Sequence, residues 1–277
     1  MIAFTRCTLF ILLLIQFVVF GQTEPAKEKS LKGTQFGLVL NVDAPFQSVM
    51  PHMDVSGNFG FSIAQSPVIG SPFYIEFKAL WGNYATEYSY DINYYQNGYW
   101  YPADATYRSG YQKYLLGSKI MAGKDFRALR FFTTPQIGIL RIRTKTEVEY
   151  WDGTVNWNDQ NDDGSENVFR TAQKQTGLVW GGEAGMEISL QRLFKKESEK
   201  NTYRLLISGS FLRGFRPYDY MNVDIELLTY EELNDHLDQL EQYTDISHPN
   251  VDEYQFAKTY TSPLQFWGIN LGLTINF

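Results

Sequence analysis

The last stretch of the chain, Leu264 to Phe277, alternates so regularly that few folds can accommodate it. Trp267, Ile269, Leu271, Leu273, Ile275 and Phe277 fall on one side of an extended strand, and Gly268, Asn270, Gly272, Thr274 and Asn276 on the other. The apolar side is continuous, while the small and polar side would match a dry core poorly. Oil outside with water or small polar groups inside is the pattern of a membrane-spanning barrel.

Seven earlier stretches repeat the pattern. Phe36, Leu38, Leu40 and Val42 oppose Gln35, Gly37 and Asn41; Val55, Phe59, Phe61 and Ile63 oppose Ser56, Asn58 and Ser62. Phe73, Ile75, Phe77, Ala79 and Trp81 face away from Glu76 and Lys78, and Tyr114, Leu116, Ile120 and Ala122 from Lys113, Gly117 and Lys119. The fifth strand runs from about Leu129 to Thr144, the sixth carries Leu178 to Ile188 against Gly181, Glu183, Gly185 and Glu187, and the seventh sets Tyr203, Leu205, Ile207 and Phe211 against Arg204, Ser208 and Ser210.

The connections alternate too. Those after the second, fourth and sixth strands are short; the others are longer, with very long ones at 83–112, 145–174 and 217–263. Short turns on one side and long loops on the other are what a membrane barrel shows, and a soluble barrel has no reason to sort them so. The expected fold is all-β: a transmembrane antiparallel up-and-down barrel of eight strands, with long external loops and both termini periplasmic. Asn97-Gly98, flanked by Tyr94-Tyr95 and Tyr99-Trp100-Tyr101, predicts a hairpin within the second long connection. Read as an external hairpin it leaves eight strands; read as a spanning pair it makes ten.

Composition fits. A mean hydropathy of -0.31 and the lack of a mature apolar run of about 20 residues exclude a helical membrane protein, while alternating strands pass that test unnoticed. The 16% aromatic content suits interfacial girdles. Residues 1–21, with Arg6 before an apolar run from Leu9 to Phe20, read as a cleaved signal peptide, 22–32 as a polar periplasmic tether, and 33–277 as the barrel. Cys7 would leave with the signal, so no disulfide, cysteine metal site or thiol nucleophile is expected. The net charge of -7 argues against a nucleic-acid partner.

With these features in place, the chain resembles the small outer-membrane β-barrel proteins of Gram-negative bacteria, of the OmpX and OmpA-barrel type, porin-like in build. Its signal ending in F-G-Q gives it the style of Bacteroidetes-type bacteria. The resemblance implies outer-membrane lipid as the surrounding partner. It also implies that the barrel-assembly machinery reads Phe277, supported by Ile275, Leu273 and Leu271; the alternative is that Phe277 is one more lipid-facing residue.

Inside an eight-stranded barrel there is room for side chains only. Glu76, Lys78, Lys119, Glu183, Glu187 and Arg204 are therefore expected to form a lumen charge network that narrows or blocks passage. Three loop features carry the remaining expectations. Asp159, Asn161 and Asp163 fit the first half of a calcium loop, but Arg170 stands where its bidentate Glu belongs, and a solvated loop is the competing reading; no other cofactor is implied. Thr229-x-x-Glu232 followed by Leu233, Leu237 and Leu240 predicts a short helix in the last loop. That loop holds eleven acidic residues against Lys258 and would favour cations or a basic protein. Tyr94, Tyr95, Tyr99, Trp100 and Tyr101 offer a recognition surface for an extracellular ligand. Catalysis has one weak candidate pair, Ser48 with His52, and no enzyme is expected. The leading function is a non-enzymatic barrel displaying its loops for structural or surface-recognition work. The alternatives are a small cation-preferring channel and, more remotely, a lipid-modifying enzyme.

Overall fold

The computed structural model describes residues 33–276 apart from 69–70, 123–127, 152–164, 194–201, 222–233, 235–242 and 253–254. Eight strands close a ring. They are β1 (Thr34–Pro45), β2 (Ser56–Gln65), β3 (Phe73–Gln96), β4 (Tyr99–Ala122), β5 (Leu129–Trp151), β6 (Ser165–Ser189), β7 (Thr202–Met221) and β9 (Phe256–Asn276). Every neighbour in the ring is antiparallel and sequential except for the closing pair, in which β9 meets β1 from Gln35↔Asn276 to Pro45↔Phe266. A short strand β8 (Tyr243–Asp245) adds to the far end of β9, and α1 (Leu190–Leu193) follows β6. Within the ring each strand is paired on both sides, the requirement for strands in lipid, while the upper parts of β3, beyond Asn83, and of β6, before Val179, extend past the ends of their β2 and β7 ladders.

The lipid-facing rows are those the alternation marks. Leu38, Leu40, Phe59, Ile75, Phe131, Ile137, Leu178, Ile269 and Leu271 are all exposed despite being apolar. Above them runs an aromatic girdle in which Trp81 lies 6.1 Å from Phe59 and 6.3 Å from Tyr114, and Phe211 lies 6.2 Å from Trp180 and 5.0 Å from Trp267.

The long connections differ from expectation. Much of what alternation assigned to loops continues as strand: β3 and β4 each run 24 residues, β5 23 and β6 25, where about 9–11 suffice to cross a hydrocarbon core. The surplus is a crown standing beyond the girdle. Asn97 (φ 51°) and Gly98 (φ 90°) make the tight turn at the top of the β3–β4 hairpin, so the pair adds length to two existing strands rather than two more spans.

The physical reason is an inversion within each strand. Along β5, outward Ile137 and Ile139 are followed by outward Arg141, Arg143, Lys145, Glu147 and Glu149, while inward Arg130, Thr134 and Gln136 give way to inward Leu140, Ile142, Val148 and Tyr150. The pleat does not slip. Its surroundings change from hydrocarbon to water, so the apolar side moves from outside to inside. A search for oil on the outer face stops at Ile139.

The crown interior is consequently an ordinary apolar core, with Tyr94, Tyr107, Val148, Tyr150 and Ile246 packed together and Met50 and Met53 tucked in from the β1–β2 connection. A smaller apolar cluster of Ala64, Tyr74, Met121, Phe132 and Leu206 closes the opposite end. The expected helix at 229–240 lies, but for Asn234, outside the described residues.

Candidate functional site

Between the two apolar clusters the barrel interior is polar and charge-paired. Lys78 pairs with Glu183, which also accepts a hydrogen bond from Ser208 Oγ (2.5 Å). Glu187 takes Lys119 on one oxygen (2.5 Å) and Arg130 on the other (2.6 Å), with all three side chains at most 1% exposed. Lys113 pairs with Asp43, whose Oδ2 also accepts from Asn58 Nδ2 (2.6 Å) and Tyr111 OH (2.7 Å). Asn41 is hydrogen-bonded to Asn270 (2.8 Å), which donates to Ser208 (3.1 Å), so the network crosses the seam between β1 and β9. Two lysines are further covered by rings: Lys119 Nζ lies 4.6 Å from the Phe132 centroid and Lys113 Nζ 5.3 Å from Phe266.

Of the predicted lumen residues, Lys78, Lys119, Glu183 and Glu187 enter these pairs, and Glu76 and Arg204 are buried on the same inner face. Sequence reasoning missed Asp43 and Arg130. Both obey the inward parity of their strands, Asp43 one alternation step beyond Asn41 and Arg130 two steps before Thr134. A cavity of about 10 Å³ bordered by Asp43, Lys78, Lys113 and Glu183 sits within the network, room for roughly one water molecule.

The tyrosine-rich hairpin divides in two. Tyr95, Tyr99 and Trp100 are exposed, with the Tyr95 and Trp100 rings 5.1 Å apart. Tyr94 is 4% exposed and stacks on Tyr150 at 4.7 Å, and Tyr101 packs against the same ring at 5.7 Å. The five therefore form no single surface: Tyr94 and Tyr101 belong to the crown core, because inward positions there are apolar.

The segment 243–252 straps this crown. Asn93 donates from its backbone (2.9 Å) and side chain (2.7 Å) to Asp252, Tyr95 N donates to Asn250 O (2.7 Å), and Thr146 Oγ1 donates to Ile246 O (2.5 Å). Arg170 donates to Ser247 O and Tyr107 to Gln255. Partial burial, with the Arg170 guanidinium nearby, holds His248 below the usual imidazole range. The unfolded chain then binds the proton more readily, so stability falls as pH drops from the ordinary imidazole value toward the lowered one. Acidifying from about pH 7.5 to about pH 5.5 should speed exchange of the Tyr95 and Val251 amides beyond the intrinsic change, and His248→Phe should remove that excess.

Other candidates fare differently. His52 is exposed and stacks on Tyr260 at 4.1 Å, and among the described residues no bond joins it to Ser48, in the turn after β1. Leu271 and Leu273 face outward and Ile275 is half-buried; Phe277 lies outside the described residues, as do Asp159, Asn161 and Asp163.

Neither a family model nor a curated protein matches the chain. Among solved structures it is similar to the N-terminal β-barrel domain of Pseudomonas aeruginosa OprF, at 9% identity over 87% of this chain and 96% of that one with a TM-score of 0.32. It is also similar to Ail, the attachment invasion locus protein of Yersinia pestis solved with the heparin analogue sucrose octasulfate, at 8% identity over 87% and 96% with a TM-score of 0.31. Both likenesses are too distant to bear on ligand or activity. The fold stands on the chain's own geometry, a closed antiparallel up-and-down ring of eight strands with apolar residues outside and paired charges within.

Proposed function

We propose that the protein is a non-enzymatic outer-membrane barrel, sealed along its axis, that holds a rigid crown above the membrane for surface recognition. The observation that carries this reading is the inversion along β5, where one pleat serves hydrocarbon up to Ile139 and water from Arg141 onward. On this reading the short connections lie on the periplasmic side, Leu271 and Leu273 on the closing strand meet lipid, and with Ile275 they support Phe277 as the assembly signal.

A sealed axis follows from three stacked layers: the lower apolar cluster, the charge network and the crown core. The crown is pinned by its strap, so the exposed Tyr95, Tyr99 and Trp100 at its tip are held on a stiff hairpin. Rigid aromatics lose little entropy on binding, which suits them to recognition.

The test is reconstitution. In detergent the unheated protein should migrate differently from the boiled one, and in planar bilayers it should give no reproducible unitary steps. Cation-selective steps would favour the channel reading instead, and identical migration of heated and unheated samples would count against a membrane barrel.

A further inference from the structure

The outer face of β4 and β5 changes character within one row. Tyr114↔Ile139 is the last apolar row, and above it come Gln112↔Arg141, Gly110↔Arg143 and Arg108↔Lys145. Rows on one face are two residues apart, about 6–7 Å, so the cations begin immediately above the lipid-facing belt. Trp81 of the aromatic girdle pairs with Gln112, which fixes the level of Arg141. The neighbouring strand extends the patch, with exposed Lys174 opposite Arg143.

Arg108, Arg141, Arg143 and Lys145 border an open groove of about 430 Å³, which Trp81, Gly110, Glu147 and Phe169 also line. Arg108 has a carboxylate, Glu147 at 3.4 Å. Among the described residues Arg141, Arg143 and Lys145 have none, and Arg141 Nε is buried without a hydrogen-bond partner. Three like charges side by side repel one another, on a chain whose net charge is -7. An anion with several oxygens would relieve that repulsion and engage the guanidinium forks.

We propose that this groove binds the phosphorylated headgroup of a lipid in the surrounding leaflet. The occupant is a lipid rather than a free anion because the groove's lower wall is the girdle and the rows beneath it are lipid-facing, so acyl chains hanging from a headgroup here would lie along Tyr114, Leu116, Ile137 and Ile139. The inference rests on the membrane-barrel reading above.

The experiment uses the full chain refolded in detergent, with diphosphoryl lipid A, the same acylated disaccharide without its phosphates, and inorganic pyrophosphate as probes, bound copies being read by native mass spectrometry and titration. Wild type should prefer the phosphorylated lipid. Arg141→Gln with Arg143→Gln should weaken it roughly 30-fold, near fivefold for each charge, and erase the preference, with the heat-dependent gel shift intact. Lys258→Gln, a cation elsewhere on the crown, should change nothing. Unchanged lipid binding in the double variant, an equal loss in Lys258→Gln, or pyrophosphate binding as tightly as the lipid would each overturn the proposal. A wild-type chain that shows no gel shift and does not enter vesicles would bring down the barrel reading, and the lipid site with it.

Discussion

Replacing Glu187 by alanine should cost the folded barrel about 3–5 kcal/mol, the range for removing one partner of a buried ion pair. Glu187 serves two cations at once, Lys119 and Arg130, and none of the three side chains is more than 1% exposed. Without it two positive charges remain side by side with no water to screen them, and Lys119 keeps Gln35 (3.2 Å) and the Phe132 face as its contacts. Glu187→Gln should be nearly as harmful, since it preserves shape and removes charge. The triple replacement Glu187→Leu, Lys119→Met, Arg130→Met should recover most of the loss, because an apolar filling no longer carries the desolvation cost. Glu147→Ala supplies the contrast: its pair with Arg108 is partly solvent-exposed, and the change should stay within about 0.5 kcal/mol. Denaturant midpoints in detergent micelles, followed by tryptophan fluorescence, measure all four. A midpoint for Glu187→Ala equal to that of Glu147→Ala would mean that the network does not hold the barrel together.

That network was partly legible in the sequence. Parity alone put Lys78, Lys119, Glu183 and Glu187 inside, but parity cannot say that Lys78 meets Glu183, because that choice depends on the closure of the ring and on strands separated by 105 residues. Asp43 and Arg130 were within reach of the same rule and were passed over because each lies at a strand end, where alternation begins to look like a turn. The crown was hidden for a different reason. Its strands obey the period of two but with the apolar side reversed, so Tyr94 and Tyr101 read as display residues when they are core. Once the reversal at Ile139 and Arg141 is recognised, the groove of cations becomes its natural consequence: the first polar row outside the belt is also the first that a lipid headgroup meets. Sequence patterning thus records the solvent of each row faithfully, provided that a change of solvent along one strand is allowed.

The second large effect is expected at Gly138, on the inner face of β5 just below the reversal. Its register partner is Leu115, and a Cβ placed on it would fall inside the van der Waals envelope of the Tyr114 carbonyl oxygen and close to the Leu115 side chain. Gly60 is in the same position on β2, against the Ala79 carbonyl. Eight strands form a narrow ring, and at these two points the backbone of the next strand occupies the space that a side chain would need. Backbone cannot swing aside as a flexible side chain can, so Gly138→Ala must open the β4–β5 pairing or flatten the bend. A cost of about 3 kcal/mol is expected, at the upper end for overpacking, and Gly138→Val should exceed it and abolish folding into micelles. Gly209 is the internal control, since a Cβ there meets nothing within 4 Å, and Gly209→Ala should be neutral or gain a few tenths of a kcal/mol through the unfolded state. The folded fraction in unheated gels under one refolding protocol reads all three. If Gly138→Ala folded as well as Gly209→Ala, the close approach of the strands could not be what sets the barrel's curvature, and closure would have to be credited to the charge network alone.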